Sequence, residues 1–594
     1  MGKIAGICDF NNLNANEHFK SDDCNYISSG VCSLADFTKE PYCFNFENNR
    51  YYIISLGKIF NSKEIEKDLI SNGFEITENL DSEIILKSYI LYGNYAFSKF
   101  NGSFSFAIWD EQNRELIIAR DHMGIKPFYY CLTDNSLYFS SSLDYLIEFS
   151  KIELTLDKQG ISELFGIGPA HTPGTCLFKN IFELRPANFG IFNKYGLHID
   201  KYWGLKNREH TDDLDTTCSK ISYILEDSIN SQLPRDEKFC TMLSGGLDSS
   251  IITAYASKFC ARNNLPNLKT ISVDYIDNDK NFVKNDFQPN SDNYYIDIMR
   301  KTFNTNHKVF MIDTPELFNS LKEAMEARGL PGMADIDSSL LLFCKNIKKE
   351  CNIAISGECS DEVFSGYPWF FREDALNSGT FPWSLALKER QEILKKDIVS
   401  KINIKEYVDF RYSESINELN YSLLDSKDTT LRKKISYLTY SWFMQTLVDR
   451  AERIANMVDL DVRIPFCDYR LVEYLWNIPW DMKAYKGREK GLLRYIVKDL
   501  LPKEIVERKK SPYPKTYNPT YLNAVKKVLV GILNNTNSPI LNLIDKDFVL
   551  KIIETDGKSF VRPWFGQLMT GPQLMAYLAQ INMWLEKYKP RIEI

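Results

Sequence analysis

Between Phe239 and Ile252 an apolar run gives way to Leu243-Ser244-Gly245-Gly246-Leu247-Asp248-Ser249-Ser250. The pattern predicts a short strand, a tight turn and a helix beginning near Ser249. Ser244 and Ser249 supply hydroxyls, and Gly245 and Gly246 let the backbone approach an anion with no Cβ in the way. A helix that starts there aims its unpaired N–H groups at the same point, so the stretch predicts a phosphate cradle. It is not the Gly-x4-Gly-Lys-Ser/Thr loop, whose lysine is absent.

Such a loop needs a sheet to carry it. Downstream, the apolar runs 270–275, 308–312 and 352–355 alternate with helical stretches at 291–303 and 314–327, which predicts a parallel sheet with helices on both faces. Ligands of such sheets sit beyond the carboxyl ends of the strands. Upstream, residues 1–150 hold short alternating runs at 51–54, 104–109, 116–119, 128–130 and 137–139, with helices expected at 63–72 and 82–92. This half predicts an α+β domain built on a layered antiparallel sheet. Residues 151–205 read as a crossing segment with a hairpin packing the halves together, and 221–233 as an amphipathic helix. The expected domains are 1–205 and 206–594.

At 594 residues the chain exceeds one core. A net charge of −7 argues against a general nucleic-acid or membrane-surface binder. No apolar run is long enough to span a bilayer. Thirteen cysteines without C-x-x-C pairs, and no signal-peptide pattern at the start, point to the cytoplasm. Six scattered histidines give no structural zinc site. The sequence leaves the oligomeric state, including a homodimer, open.

The hexapeptide Ser244–Ser249 resembles the pyrophosphate loop of ATP pyrophosphatases. Further stretches are similar to the asparagine synthetase family: Ser356-Gly357-Glu358-Cys359-Ser360-Asp361-Glu362-Val363-Phe364, Asp449-Arg450-Ala451-Glu452-Arg453, Arg463-Ile464-Pro465-Phe466, and Gly487-Arg488-Glu489-Lys490-Gly491-Leu492. The tail stretches 508–516 and 562–567 resemble bacterial members. The resemblance implies nucleotide binding by Leu243, Ser244, Gly245, Gly246, Asp248, Ser249, Val273, Ser356 and Gly357. It implies Mg2+ at Asp248 and Asp361, and catalytic roles for Glu358, serving the incoming amine, and Lys490, contacting phosphates. Asp459-Leu460-Asp461 departs from the family's usual Gly-Leu-Glu near the acceptor pocket.

The first half, through Asp81-Ser82-Glu83, Asn101-Gly102 and Ala119–Pro127, resembles the family's Ntn-hydrolase-like glutaminase domain in degenerate form. That domain uses an N-terminal cysteine as nucleophile, and here position 2 is Gly2. Ser33 stands where an arginine grips the glutamine carboxylate, and Leu56-Gly57-Lys58 replaces Asn-Gly-Glu. Asp81 alone persists. Cys8 is the one substitute thiol, placed beyond the aligned first strand.

These resemblances imply an ATP-dependent ligase that adenylates a carboxylate, aspartate being favoured, and lets free ammonia rather than glutamine nitrogen displace AMP. Relatives that also lost the cysteine close rings. An intramolecular amide, of the lasso-peptide macrolactam or β-lactam type, is therefore the alternative.

Overall fold

The computed structural model describes residues 2–11, 19, 24–78, 80–278, 291–419, 426–511, 518–560 and 562–594. Residues 512–516 of the tail stretch and His18 lie outside the described residues. Chain contacts divide the molecule into two units, Met1–Glu153 with Pro173–Leu205, and Leu154–Thr172 with Lys206–Ile594.

The first unit holds two six-stranded antiparallel sheets. One runs Ile181–Glu183, Tyr129–Thr133, Ser136–Ser140, Ile4–Asp9, Cys32–Asp36, Asn25–Ser29; the other runs Gly196–Lys201, Asn188–Asn193, Glu115–Arg120, Gly102–Asp110, Asn49–Ile59, Tyr42–Phe46. Inward residues of both sheets, among them Ile4, Leu34, Ile54, Trp109, Ile118, Phe128 and Phe139, form one core. The outer face of the second sheet is covered by helices Ser62–Ser71 and Asp81–Tyr92 through Leu69 and Ile84, and by Phe97 of the turn Gly93–Lys99 that follows. Helix Leu143–Ser150 lies on the outer face of the first sheet, where Phe149 packs with Ala5, Ile7 and Phe19. The order is helix, sheet, sheet, helix. The expected hairpin forms at Asn188–Asn193 and Gly196–Lys201, and it extends this unit's own sheet by pairing with Glu115–Arg120.

The second unit is built on five parallel strands, β1 (Phe239–Met242), β2 (Lys269–Tyr275), β3 (Asn306–Ile312), β4 (Ile353–Ile355) and β5 (Asp461–Arg463), in the order β3-β2-β1-β4-β5. The chain winds from β1 toward β3, then returns to lay β4 on the other flank of β1, pairing Phe239 with Ile353. The strand order therefore reverses between β1 and β4, and a crevice opens at their carboxyl ends. Five helices matter to that crevice: α1 (Leu247–Arg262), α2 (Asp335–Lys348), α3 (Ser360–Val363), α4 (Met444–Met457) and α5 (Gly491–Ile496). The helix expected over 314–327 is two, Thr314–Asn319 and Leu321–Arg328, broken at Ser320, whose hydroxyl donates to the Glu316 carbonyl at 3.0 Å. No helix among the described residues is long and apolar enough to cross a membrane.

Candidate active site

The loop after β1 is tied by its own serines. The Ser249 hydroxyl donates to the Gly246 carbonyl at 3.1 Å and accepts the Ser244 N–H at 3.2 Å, with the two hydroxyls 3.1 Å apart. α1 consequently starts at Leu247 rather than near Ser249, with Gly246 as its N-cap, and Asp248 and Ser249 fall in the first turn. Gly245 has φ +69, and a Cβ there would lie 2.6 Å from the Tyr295 Cβ and 2.8 Å from the Ile296 nitrogen, so only glycine fits. Arg508 closes the outer side, donating to the Ser244 carbonyl at 3.0 Å and pairing with Asp292.

The loop after β4 meets the first one backbone to backbone. Its start is fixed by the Ser356 N–H, which donates to the Arg463 carbonyl at the end of β5 at 2.9 Å. A Cβ on Gly357 would lie 2.9 Å from both the Asp248 carbonyl carbon and the Ser249 nitrogen. That absence of a side chain is what lets β1 and β4 bring their loops into contact.

Lys490 joins the two. It precedes α5 in a left-handed conformation, φ +52, and is 4% exposed. Its ammonium lies 2.6 Å from Asp248 Oδ2, 2.7 Å from Asp361 Oδ1 and 3.4 Å from the Ser360 hydroxyl. Lys510 pairs with the other Asp361 oxygen and sits 4.6 Å over the Tyr367 ring. Burial alone would raise the Asp361 carboxyl, but the Lys490 and Lys510 ammoniums overcome it and hold the group below its ordinary value. Burial likewise works to lower Lys490, and the Asp248 and Asp361 carboxylates reverse it, keeping the lysine charged.

Leu243, Ser244, Gly246, Asp248, Ser249, Val273, Ser356, Gly357, Glu358, Asp361 and Lys490 all line one cavity of about 280 Å³. Among the sequence-proposed site residues, Gly245 does not face it and serves the turn.

Glu358 is positioned by charges that the sequence left without a role. Arg450, on α4, donates to Glu358 Oε1 at 3.0 Å and to Asp337 Oδ1, on α2, at 2.7 Å. Asp337 Oδ2 accepts the Met333 N–H at 2.8 Å and faces Arg328 at 3.3 Å, and Arg328 reaches Asp449 at 3.2 Å. Burial raises the Glu358 carboxyl above its ordinary value; Arg450 opposes that shift and Asp337 adds to it. Glu362 accepts the Tyr367 hydroxyl at 2.6 Å and is pushed up to about 7 by burial and the Asp361 charge. The visible signal for this network was the charged run Asp449-Arg450-Ala451-Glu452-Arg453, whose charged residues are all buried on α4. Its partners lie 92 to 121 residues away.

Among the described residues no group of three or more His, Cys, Asp or Glu side chains could hold a metal. Asp248 and Asp361 nevertheless converge on one cationic point, now taken by the Lys490 ammonium. Mg2+ commonly takes one or two carboxylates and completes its shell with phosphate and water oxygens, so this donor set fits it.

In the first unit, a Cβ on Gly2 would lie 2.9 Å from the Thr38 hydroxyl and 3.5 Å from a Leu56 methyl. Ser33 is fully buried with its hydroxyl 2.6 Å from that of Ser28. Lys58 is exposed, and Asp81 accepts the Ile59 N–H at 3.1 Å. Lys39 donates to Ser55 at 3.3 Å and to Ser82 at 3.1 Å, and these two hydroxyls are 2.8 Å apart. Cys8 is buried opposite Cys32 across paired strands.

Comparison with known proteins places these features in a family. The asparagine synthase model matches residues 220–586, and the glutamine amidotransferase domain model matches residues 30–203. The chain is 42% identical over 557 residues to asparagine synthetase (glutamine-hydrolyzing) 3 of Bacillus subtilis, covering 93% of this chain and 90% of that one. It is 25% identical to asparagine synthetase (glutamine-hydrolyzing) 1 of the same organism, over 88% of this chain and 84% of that one. It is 24% identical to asparagine synthetase (glutamine-hydrolyzing) of Gallus gallus, over 77% and 70%. With a family model spanning the whole crevice and a relative that close over nearly all its length, the chain belongs to the asparagine synthase family.

Proposed function

We propose that the second unit binds ATP across the loops after β1 and β4, transfers AMP to a substrate carboxylate with release of pyrophosphate, and lets free ammonia displace AMP to form an amide. Aspartate is the carboxylate we favour. The observation that carries this reading is the meeting of a glycine-serine loop, a helix N-terminus and a buried lysine where the strand order reverses. The Ser244, Ser249 and Gly246 groups hold phosphate oxygens, and Lys490 offsets charge that builds on the leaving pyrophosphate. Asp248 and Asp361 would hold Mg2+, which neutralises phosphate charge when bound. Glu358 takes a proton from the ammonia as it adds, and burial, which raises its carboxyl, makes it a stronger base. Arg450 fixes the direction in which that carboxylate points.

Ammonia is preferred to glutamine because the first unit offers no nucleophile where the family's thiol belongs. Gly2 has no side chain, Ser33 and Leu56 cannot grip or polarise a glutamine, and Cys8 is buried beyond reach. All thirteen cysteines are free thiols, which suits a reducing cytoplasm.

Pyrophosphate release from ATP and aspartate, with ammonium or glutamine as nitrogen source, tests the proposal. Release and asparagine formation are expected with ammonium and not with glutamine. Equal rates with both would remove the ammonia assignment. Silence with aspartate, combined with AMP release on a substrate carrying its own amine, would favour intramolecular amide closure.

A further inference from the structure

The segment Trp564-Phe565-Gly566-Gln567-Leu568-Met569 has no part in the nucleotide chemistry above, yet its tip forms a wall of the same cavity. It is a pinned loop. The Trp564 N–H donates to the Met569 carbonyl at 2.9 Å, the Gly566 N–H donates to the Trp383 carbonyl at 2.8 Å, and Trp564, Phe565 and Met569 are fully buried. Gly566, with φ +59, turns the chain so that Gln567 and Leu568 face the cavity.

Across from this tip lies the start of α4. A π-helical turn, Thr439–Phe443, precedes it, and Phe443, Leu447 and Ala451 follow at one-turn spacing along the cavity, with Arg450 beside them. The Phe443 and Phe565 rings stack at 6.0 Å, fastening loop to helix. The wall is thus apolar except for Arg450 and the Gln567 carboxamide. Gln567 is half-buried and makes no hydrogen bond among the described residues. Its carboxamide therefore offers two N–H donors and an acceptor to whatever enters the cavity.

We propose that Gln567 is a specificity-determining residue that reads the non-reacting end of the acyl substrate. Its NH2 donates to a carboxylate and its oxygen accepts from an ammonium, which matches the α-amino acid end of aspartate. The inference rests on the adenylation reading above and deepens it.

Initial rates of pyrophosphate release with ammonium, in wild type and in Gln567→Ala and Gln567→Asn, test it, with aspartate and N-acetylaspartate compared. Loss of a hydrogen bond to a charged group is expected to raise KM for aspartate by about 10- to 100-fold in Gln567→Ala, while KM for ATP stays within about twofold. The same variant should narrow the preference for aspartate over N-acetylaspartate. Gln567→Asn, whose shorter arm withdraws the amide, decides the matter through the same KM if the alanine variant melts early. An unchanged aspartate KM in folded variants overturns the role of Gln567 and leaves the ligase reading intact. A wild type that releases no pyrophosphate with aspartate and ammonium overturns both.

Discussion

Lys490 is the side chain on which the site turns, because among the described residues it pairs with both carboxylates that frame the crevice. Lys490→Ala is expected to lower kcat for pyrophosphate release by about 10²–10³-fold, the scale of losing one charge stabiliser in a closed site. Far-UV circular dichroism should be unchanged, and a variant turning over normally would remove the phosphate assignment. Lys490 and Glu358 were legible in the sequence because each sits in a short run that resembles a family signature. Arg450 also sits in such a run, but its pairing with Asp337 was not legible, because a buried ion pair joining positions 113 residues apart leaves no local trace. Asp337, on α2, reads in sequence as one more acid in a first turn favoured by the helix dipole.

At the scale of elements, the helices expected at 63–72, 82–92 and 291–303 came within one residue of their ends, while the start of α1 and the break within 314–327 were missed. The runs 104–109 and 116–119 became Gly102–Asp110 and Glu115–Arg120, strands buried on both faces, as short apolar runs bounded by polar turns imply. The start of α1 was misplaced because Ser249 looks like a cap, yet spends its hydroxyl bracing the loop. The π-helical turn before α4 had no signal at all, being a register slip within a continuous helical pattern. The contact between the two loops gives an element-scale expectation. Gly357→Ala would insert a methyl against the Asp248–Ser249 backbone and push the loops apart, lowering kcat/KM by about 100-fold, as small misplacements do. Thermal melting should move little, since both loops lie outside the strands. Undiminished activity would show that the close approach is dispensable.

The whole molecule is two units, and their responses to acid should separate. In the first unit Glu83 is fully buried, accepting the Thr77 and Glu78 N–H groups at 2.9 Å and the Lys87 ammonium at 2.6 Å. Burial works to raise its carboxyl, and Lys87 with these N–H groups prevails, lowering it from 4.5 to about 2. A carboxyl depressed in the folded state contributes stability that is complete above its unfolded value and is lost as pH falls from 4.5 toward 2. Glu83→Gln is expected to flatten that loss and to lower stability at pH 7, where the buried Lys87 loses its counter-charge, by about 3–5 kcal/mol. Calorimetry from pH 2 to 7 checks this, and matching pH slopes in the two proteins would contradict it. Residues 154–172 belong by contact to the second unit although they precede the end of the first, a return of the chain that no local pattern announces.

The placement of the Lys490 ammonium has a consequence for the order of events. With Asp248 and Asp361 answered by Lys490 and Lys510, these four side chains offer a bare divalent ion no net negative charge. On the proposed reading, a metal would then arrive with the nucleotide, whose phosphates would meet the Lys490 ammonium. Occupancy of the crevice would accordingly track the complexed nucleotide and ignore swings in the free ion.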